Sequence, residues 1–277
     1  MFRHGPSNKM RVSIVDLQKK ELKKIDLPSQ FDEKVRPDII KKAVLALQAN
    51  KRQVYGADLS AGKKTAVRVS KRRRDYRGSY GHGISRVPRK VLSRRGTRFN
   101  WQGAFAPGTV KGRRAHPPKT EKVWQQKINK KERKKAIRSA LAATVDKEYV
   151  KERGHLIPDD YPFVIENKVE NLKKTKDIKK ILDALGFEKE LNRLSKKSVR
   201  AGKGKRRGRK YKKKAGILIV VSDKCWLQKA VKNIPGIETA IINKLNAELL
   251  APGTLPGRAT IFTEAAIDKI ARERLFM

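Results

Sequence analysis

Between Lys63 and Lys119 the chain carries 18 basic residues and one acid, Asp75; between Lys196 and Lys214 it carries 12 basic residues and no acid. These segments hold +17 and +12 of a formal net charge of +43, and the other 201 of the 277 residues share the remaining +14. No other feature constrains the fold as strongly. Like charge at that density strains a compact state, and an ordinary solvated domain carries a net charge of magnitude about 2–8. Both segments therefore stand outside any hydrophobic core and need a polyanion. Nucleic acid is the natural partner. An anionic membrane is the weaker one, and no run approaches the roughly 18 apolar residues of a membrane span.

Neither segment shows helical or strand periodicity. The first is interrupted by Gly and Pro from Gly78 to Pro118, which end regular elements. A loop of this length is functional or disordered. It holds too little apolar surface to offset its own ordering entropy, so something external must order it. Arginine and lysine neutralise phosphates, and arginine grips them with a planar donor fork. The candidate RNA contacts are Arg72, Arg73, Arg74, Arg77, Arg86, Arg89, Lys90, Arg94, Arg95, Arg98, Lys111, Arg113, Arg114 and Lys119. Interleaved rings, Tyr76, Tyr80, His82, Phe99, Trp101, Phe105 and His116, are candidates to stack on unpaired bases, which favours RNA over DNA. The bland alternative is a solvated basic linker.

The second segment offers Arg200, Lys203, Lys205, Arg206, Arg207 and Arg209. Gly202 and Gly204 do not make a dinucleotide site, because such a glycine loop joins a strand directly to a helix and this one precedes a strand. A nuclear-import signal is a competing use of the run.

The remaining residues alternate between strand and helix patterns. Strands are expected at Val12–Val15, Phe163–Ile165, Ile217–Val221, near 237–242 and near 259–262. Five apolar residues at Ile217–Val221 suggest a strand covered on both faces. A helix from Pro37 to about Asn50 has Ile40, Ala43, Val44 and Leu47 inward. Another, from Asn129 to about Thr144, has capping-box spacing at Asn129 and Glu132. Its inner face is Ala136, Ile137, Ala140, Leu141 and Thr144, and Lys131, Lys134, Lys135 and Arg138 form a basic stripe that joins the candidate RNA contacts. Asp177 and Asp223 are expected helix caps, with the second helix reaching about Asn233. A short helix follows near 246–250, and Thr263 caps a last helix with Ile267, Ile270 and Ala271 inward. The expected fold is α/β: one globular domain over 1–50 and 124–277, with a mainly parallel sheet flanked by helices. The extended loop 51–123 and the short basic loop 196–214 project from it.

No catalytic constellation is visible. There is no phosphate-binding Walker sequence and no Gly-x-Ser-x-Gly; His4, His82, His116 and His155 lack metal-ligand spacing, so neither metal nor cofactor is expected. Asp159-Asp160 reads as a turn, and Cys225 as a small packing residue. Trp124 and Trp226 fit either a core or an RNA-facing surface. One cysteine excludes an internal disulfide and suits a reducing compartment, and the N-terminus has no signal-peptide core, so a soluble intracellular protein is expected. The rival classes are an RNA-modifying enzyme with a basic substrate arm and a DNA- or chromatin-binding protein.

The chain resembles the universal large-subunit ribosomal protein four family in its archaeal and eukaryotic form. The resemblance rests on Gly81-His82-Gly83-Ile84-Ser85-Arg86-Val87-Pro88-Arg89, Gly112-Arg113-Arg114-Ala115-His116-Pro117-Pro118-Lys119, and Lys127–Arg133 running into Arg138–Thr144. It rests further on Arg200–Lys205, Asn233-Ile234-Pro235-Gly236 and Leu250-Ala251-Pro252-Gly253. It implies a structural, non-enzymatic protein of the cytoplasmic large subunit, bound to ribosomal RNA and to neighbouring ribosomal proteins. It also implies that the long loop reaches the nascent-peptide exit tunnel, with the tip expected at Arg72–Tyr80, where Arg73, Arg74, Tyr76 and Arg77 cluster. Arg98–Gln102 is less glycine-rich than the family pattern. The absence of a long basic tail favours the archaeal form, and the family's usual start suggests translation from Met10.

Overall fold

An apolar strand can be covered on both faces only if helices lie above and below its sheet, and this is what surrounds Leu218–Val221. The computed structural model describes residues 10–277, so the extension expected before Met10 lies outside the described residues. In chain order the elements are β1 (Arg11–Val15), β2 (Glu21–Asp26), α1 (Pro37–Asn50), β3 (Arg89–Arg95), β4 (Arg98–Gly103), α2 (Lys130–Val145), α3 (Lys147–Glu152) and β5 (Phe163–Ile165). There follow α4 (Thr175–Ala184), α5 (Glu188–Ser195), β6 (Ser198–Val199), β7 (Tyr211–Lys212), β8 (Leu218–Val221), α6 (Leu227–Val231), β9 (Glu238–Ile241), α7 (Ala247–Leu250), β10 (Thr260–Thr263) and α8 (Glu264–Arg272). The chain forms two compact units. One runs to Asn50 and resumes over Gln125–Met277; the other is Lys51–Trp124.

The first unit is an α/β domain on a six-stranded sheet of order β2-β1-β5-β10-β8-β9. Only the edge pair β1–β2 is antiparallel; the other pairs are parallel, with Ile14 beside Val164, Ile261 beside Ile219 and Leu218 beside Glu238. Alternate side chains of one strand point to opposite faces. Leu218 and Val220 enter one core with α1, α2, α7 and α8, whereas Ile219 and Val221 enter a second with α4 and α6. Each such side chain, fully buried, contributes roughly 1.5–3 kcal/mol. Phe31 meets Phe262 edge-on at 5.4 Å in the first core.

Several local expectations change. The Asn129–Glu132 capping box does not form: Asn129 precedes α2 without a side-chain cap, and Glu132 pairs with Lys42 of α1 at 2.7 Å. Asp177 lies inside the first turn of α4, where it favours the helix dipole without capping. Asp223 caps nothing. Its carboxylate takes the Lys269 ammonium of α8 at 2.6 Å, and α6 starts only at Leu227 and stops at Val231, short of Asn233. Thr263 stands at the cap position of α8, but its hydroxyl donates to Glu170 at 2.8 Å. Ala271 is exposed, and Ala266 takes the inward place beside Ile267 and Ile270. The strand β2 and the helices α3 and α5 were not expected from the sequence pattern.

Candidate nucleic-acid interface

Nearly all of Lys51–Trp124 is open to solvent: only Ser70, Ser79 and Ala104 are buried. It is nevertheless not aperiodic. β3 and β4 form an antiparallel ribbon pairing Arg89 with Gly103, Val91 with Trp101 and Arg95 with Arg98, and the chain reverses at Gly96, whose φ of 59° suits glycine. Aliphatic packing is replaced here by rings and guanidinium groups. Tyr76 meets Phe99 edge-on at 5.3 Å and Phe99 lies 5.4 Å from Trp101. Arg77 sits 5.7 Å from both Tyr76 and Phe99, Arg89 5.8 Å from Trp101, and Arg86 4.2 Å from Tyr80. Each such pairing is worth about 0.5–1 kcal/mol when exposed. Arg94 adds a hydrogen bond to the Tyr76 hydroxyl at 3.0 Å.

Asp75, the lone acid between Lys63 and Lys119, organises its turn. The Ser70 hydroxyl donates to its carboxylate, the Gly78 N–H donates to its carbonyl at 2.9 Å, and Arg68 stands 3.8 Å away. The hydrogen bond from Ser70, helped by Arg68 and Arg72, holds the Asp75 carboxyl below the usual range. Arg72, Arg73 and Arg74 thus project from an ordered turn that Tyr76 ties to β4.

At the neck of this unit Arg52 lies 3.9 Å over Trp124, Lys122 stands 4.4 Å from the same ring, and Tyr55 stacks on it at 5.9 Å. Beside it is a concavity of about 550 Å³, whose lining includes Lys63, Arg113, Arg114 and Lys119. Gly62, at φ +75°, touches the far arm so closely that a Cβ would stand 2.3 Å from Arg113 N. Gly62→Val is therefore expected to part the two arms. Amide exchange at residues 57–63 and 111–119 of the RNA-bound protein should speed up while the melting of the sheet-bearing unit stays unchanged.

Of the sequence-predicted residues here, Arg72, Arg73, Arg74, Arg86, Arg94, Arg95, Arg98, Lys111, Arg114 and Lys119 are exposed, and Arg77, Arg89, Lys90 and Arg113 are half-buried. His82 and His116 are exposed, whereas Tyr76, Tyr80, Phe99, Trp101 and Phe105 already contact one another or an arginine.

The second cationic segment is also a small ribbon. β6 pairs antiparallel with β7, the Arg200 N–H donates to Lys210 O at 2.8 Å, and a short 3-10 turn at Lys203–Arg207 lies between Gly202 and Gly208, both at φ +77°. Lys203, Lys205, Arg206, Arg207 and Arg209 stand in this ribbon, and none pairs with a carboxylate among the described residues.

The foot of this ribbon is held by a buried carboxylate that nothing in the sequence singles out. Glu190 of α5 is fully buried; Arg193 donates to it twice, at 2.6 and 2.7 Å, His155 Nδ1 at 2.8 Å and the Leu156 N–H at 3.1 Å. Arg193 also donates to Ala215 O at 3.1 Å, and Lys214 to Arg193 O at 2.9 Å. Burial would raise the Glu190 carboxyl, but these donors outweigh it and hold it at about 2. Burial likewise lowers His155 despite the carboxylate beside it, so the ring is neutral near pH 7 and its Nδ1–H donates.

The basic stripe on α2 is partly spent within the protein. Arg138 binds Glu33 at 3.0 Å and donates to Phe276 O at 2.6 Å, Lys135 lies 3.8 Å from Glu33, and Lys134 donates to Met277 O. Lys131 is exposed without a carboxylate partner among the described residues.

At the carboxyl ends of β8 and β10, where open α/β sheets hold ligands, Glu170 accepts hydrogen bonds from Ser222 N–H and from the Ser222 and Thr263 hydroxyls. Cys225 is partly buried against the second core, and burial raises its thiol.

A family model described as "Ribosomal protein L4/L1 family" matches residues 25–273. The chain is 51% identical to the large ribosomal subunit protein uL4 of Nanoarchaeum equitans over 268 residues, covering 96% of this chain and 100% of that protein. It is 42% identical to the uL4 of Archaeoglobus fulgidus, covering 94% and 97%. It is 43% identical to that of Halobacterium salinarum, covering 95% and 100%.

Proposed function

The chain belongs to the ribosomal protein L4/L1 family, in its archaeal type, and from that premise we propose how its cationic segments serve the large ribosomal subunit. It is a structural constituent of that subunit and not an enzyme, and it works in the cytoplasm. Its two cationic segments bind large-subunit ribosomal RNA. The unit Lys51–Trp124 is surrounded by RNA, and the β6–β7 ribbon clamps phosphates from the surface of the sheet-bearing unit. The end of the long unit, comprising Arg72–Tyr80 with the β3–β4 reversal at Gly96, reaches the exit tunnel and meets the nascent peptide beside a neighbouring ribosomal protein.

One observation carries this reading. Lys51–Trp124 adopts a defined ribbon and turns with almost nothing buried, and its cations outnumber its acids many-fold. Such a segment is stable only where phosphates replace the missing core. DNA binding would ask for a helix or ribbon shaped to a groove; rings set among arginines in irregular turns suit unpaired RNA. Cross-linking in cells, with the attached nucleotides mapped, is expected to place Arg72–Lys119 on large-subunit ribosomal RNA. Attachment to DNA instead would overturn the proposal.

A further inference from the structure

Trp226 is an aromatic residue of the sheet-bearing unit that lies in neither cationic segment. It precedes α6, and its side of the chain is open, with 54% of the residue exposed. Two ammonium groups from different elements face its ring. Lys229 of α6 stands 4.8 Å from the centroid, and Lys173, just after the 3-10 turn Asn167–Asn171, stands 5.2 Å away. Neither lysine pairs with a carboxylate among the described residues. Of the acids close by in the chain, Asp223 is engaged by Lys269 and Glu170 by Ser222 and Thr263, and Asp177 forms no ion pair with Lys173 or Lys229 among the described residues. Lys174 and Lys224 beside them are exposed too.

An open indole with uncompensated cations around it has a definite chemical complement. An unpaired base stacks on the ring, and the phosphates on either side of that base meet the ammonium groups. An apolar protein surface would cover the ring but strip water from two unpaired charges, which is unfavourable.

We propose that Trp226, with Lys173 and Lys229, forms a third RNA site that takes one unpaired ribonucleotide on the sheet-bearing unit. This rests on the reading that the chain binds ribosomal RNA. On binding, the base occupies the ring face and the two lysines move outward to its flanking phosphates.

The test uses the full chain bound to archaeal large-subunit ribosomal RNA carrying 4-thiouridine. Irradiation and peptide mass spectrometry are expected to find a nucleotide on the peptide containing Trp226. The adduct should vanish in Trp226→Ala and persist in Trp226→Phe. Affinity should fall about tenfold in Trp226→Ala, since one base stack is removed, and the melting temperature should not change. Lys173→Gln and Lys229→Gln should each make the salt dependence of binding shallower. An adduct at Arg72–Lys119 but none at Trp226, or unchanged affinity of Trp226→Ala, would overturn this site and leave the wider RNA reading standing. Protection of the Trp226 peptide from amide exchange in the intact large subunit, with no adduct there, would do the same in favour of a protein partner. No adduct anywhere would sink both.

Discussion

Replacing Glu190 with alanine should destabilise the sheet-bearing unit by about 3–5 kcal/mol, the usual effect of removing one partner from a buried charge pair. The carboxylate is fully buried and accepts from Arg193, His155 and the Leu156 N–H. Its loss leaves the Arg193 guanidinium facing a cavity and releases three donors at once. Because Arg193 also holds Ala215 O, and Lys214 holds Arg193 O, the foot of the β6–β7 ribbon should loosen as well. Urea unfolding gives the first effect and amide exchange at residues 214–216 the second. The pH dependence follows from the direction of the shift. The Glu190 carboxyl is depressed from its usual 4.5 to about 2 in the folded protein. Its contribution is therefore complete above the unfolded value and is lost as pH falls from about 4.5 toward about 2. Glu190→Gln should remove that part of the acid sensitivity. An unchanged acid transition in this variant would show that the carboxylate is not the group responsible.

Changing Lys203, Lys205, Arg206, Arg207 and Arg209 together to glutamine should act in the opposite way, on RNA and not on the fold. None of the five has a carboxylate partner among the described residues, so stability should hold or rise slightly as self-repulsion is relieved. Each phosphate that the protein no longer neutralises lowers the slope of log affinity against log salt by about 0.7–0.9. Removing all five cations should therefore lower it by about 4 and weaken binding to ribosomal RNA by roughly a thousandfold at low salt. Titrations at several salt concentrations read both quantities. A steep slope left intact would mean that the ribbon does not touch phosphate.

These two outcomes also mark what was legible in the sequence. Apolar runs disclosed β1, β5, β8 and β10, and Ile40, Ala43 and Val44 disclosed the inner face of α1, because burial writes a period into the chain. β4 alternates, with Phe99 and Trp101 between Arg98, Asn100 and Gln102, but β3 does not, and the two rings pack against arginines instead of an apolar core, so the pair was not legible as a ribbon. Asp177 and Asp223 have the residue type of helix caps, but tertiary partners decided their places: α4 begins before Asp177, and Lys269 draws Asp223 away from α6. Glu190 and Glu33 look like ordinary surface acids in sequence. Only the fold shows that each neutralises an arginine. The basic stripe on α2 was legible as charge but not as use, since Arg138 and Lys134 reach carbonyls near the C-terminus. For Trp226, a single residue carries no period, so only its position distinguishes an open ring from a core ring.

On the proposed function, RNA supplies the order that Lys51–Trp124 lacks the core to supply for itself. Amide hydrogen exchange of the free full-length protein and of the same protein in the large subunit tests it most directly. Weak protection is expected from Lys71 to Lys119 in the free protein beside strong protection in β8 and β10, and strong protection throughout once RNA is bound. Protection of β3 and β4 in the free protein equal to that of β8 and β10 would contradict it.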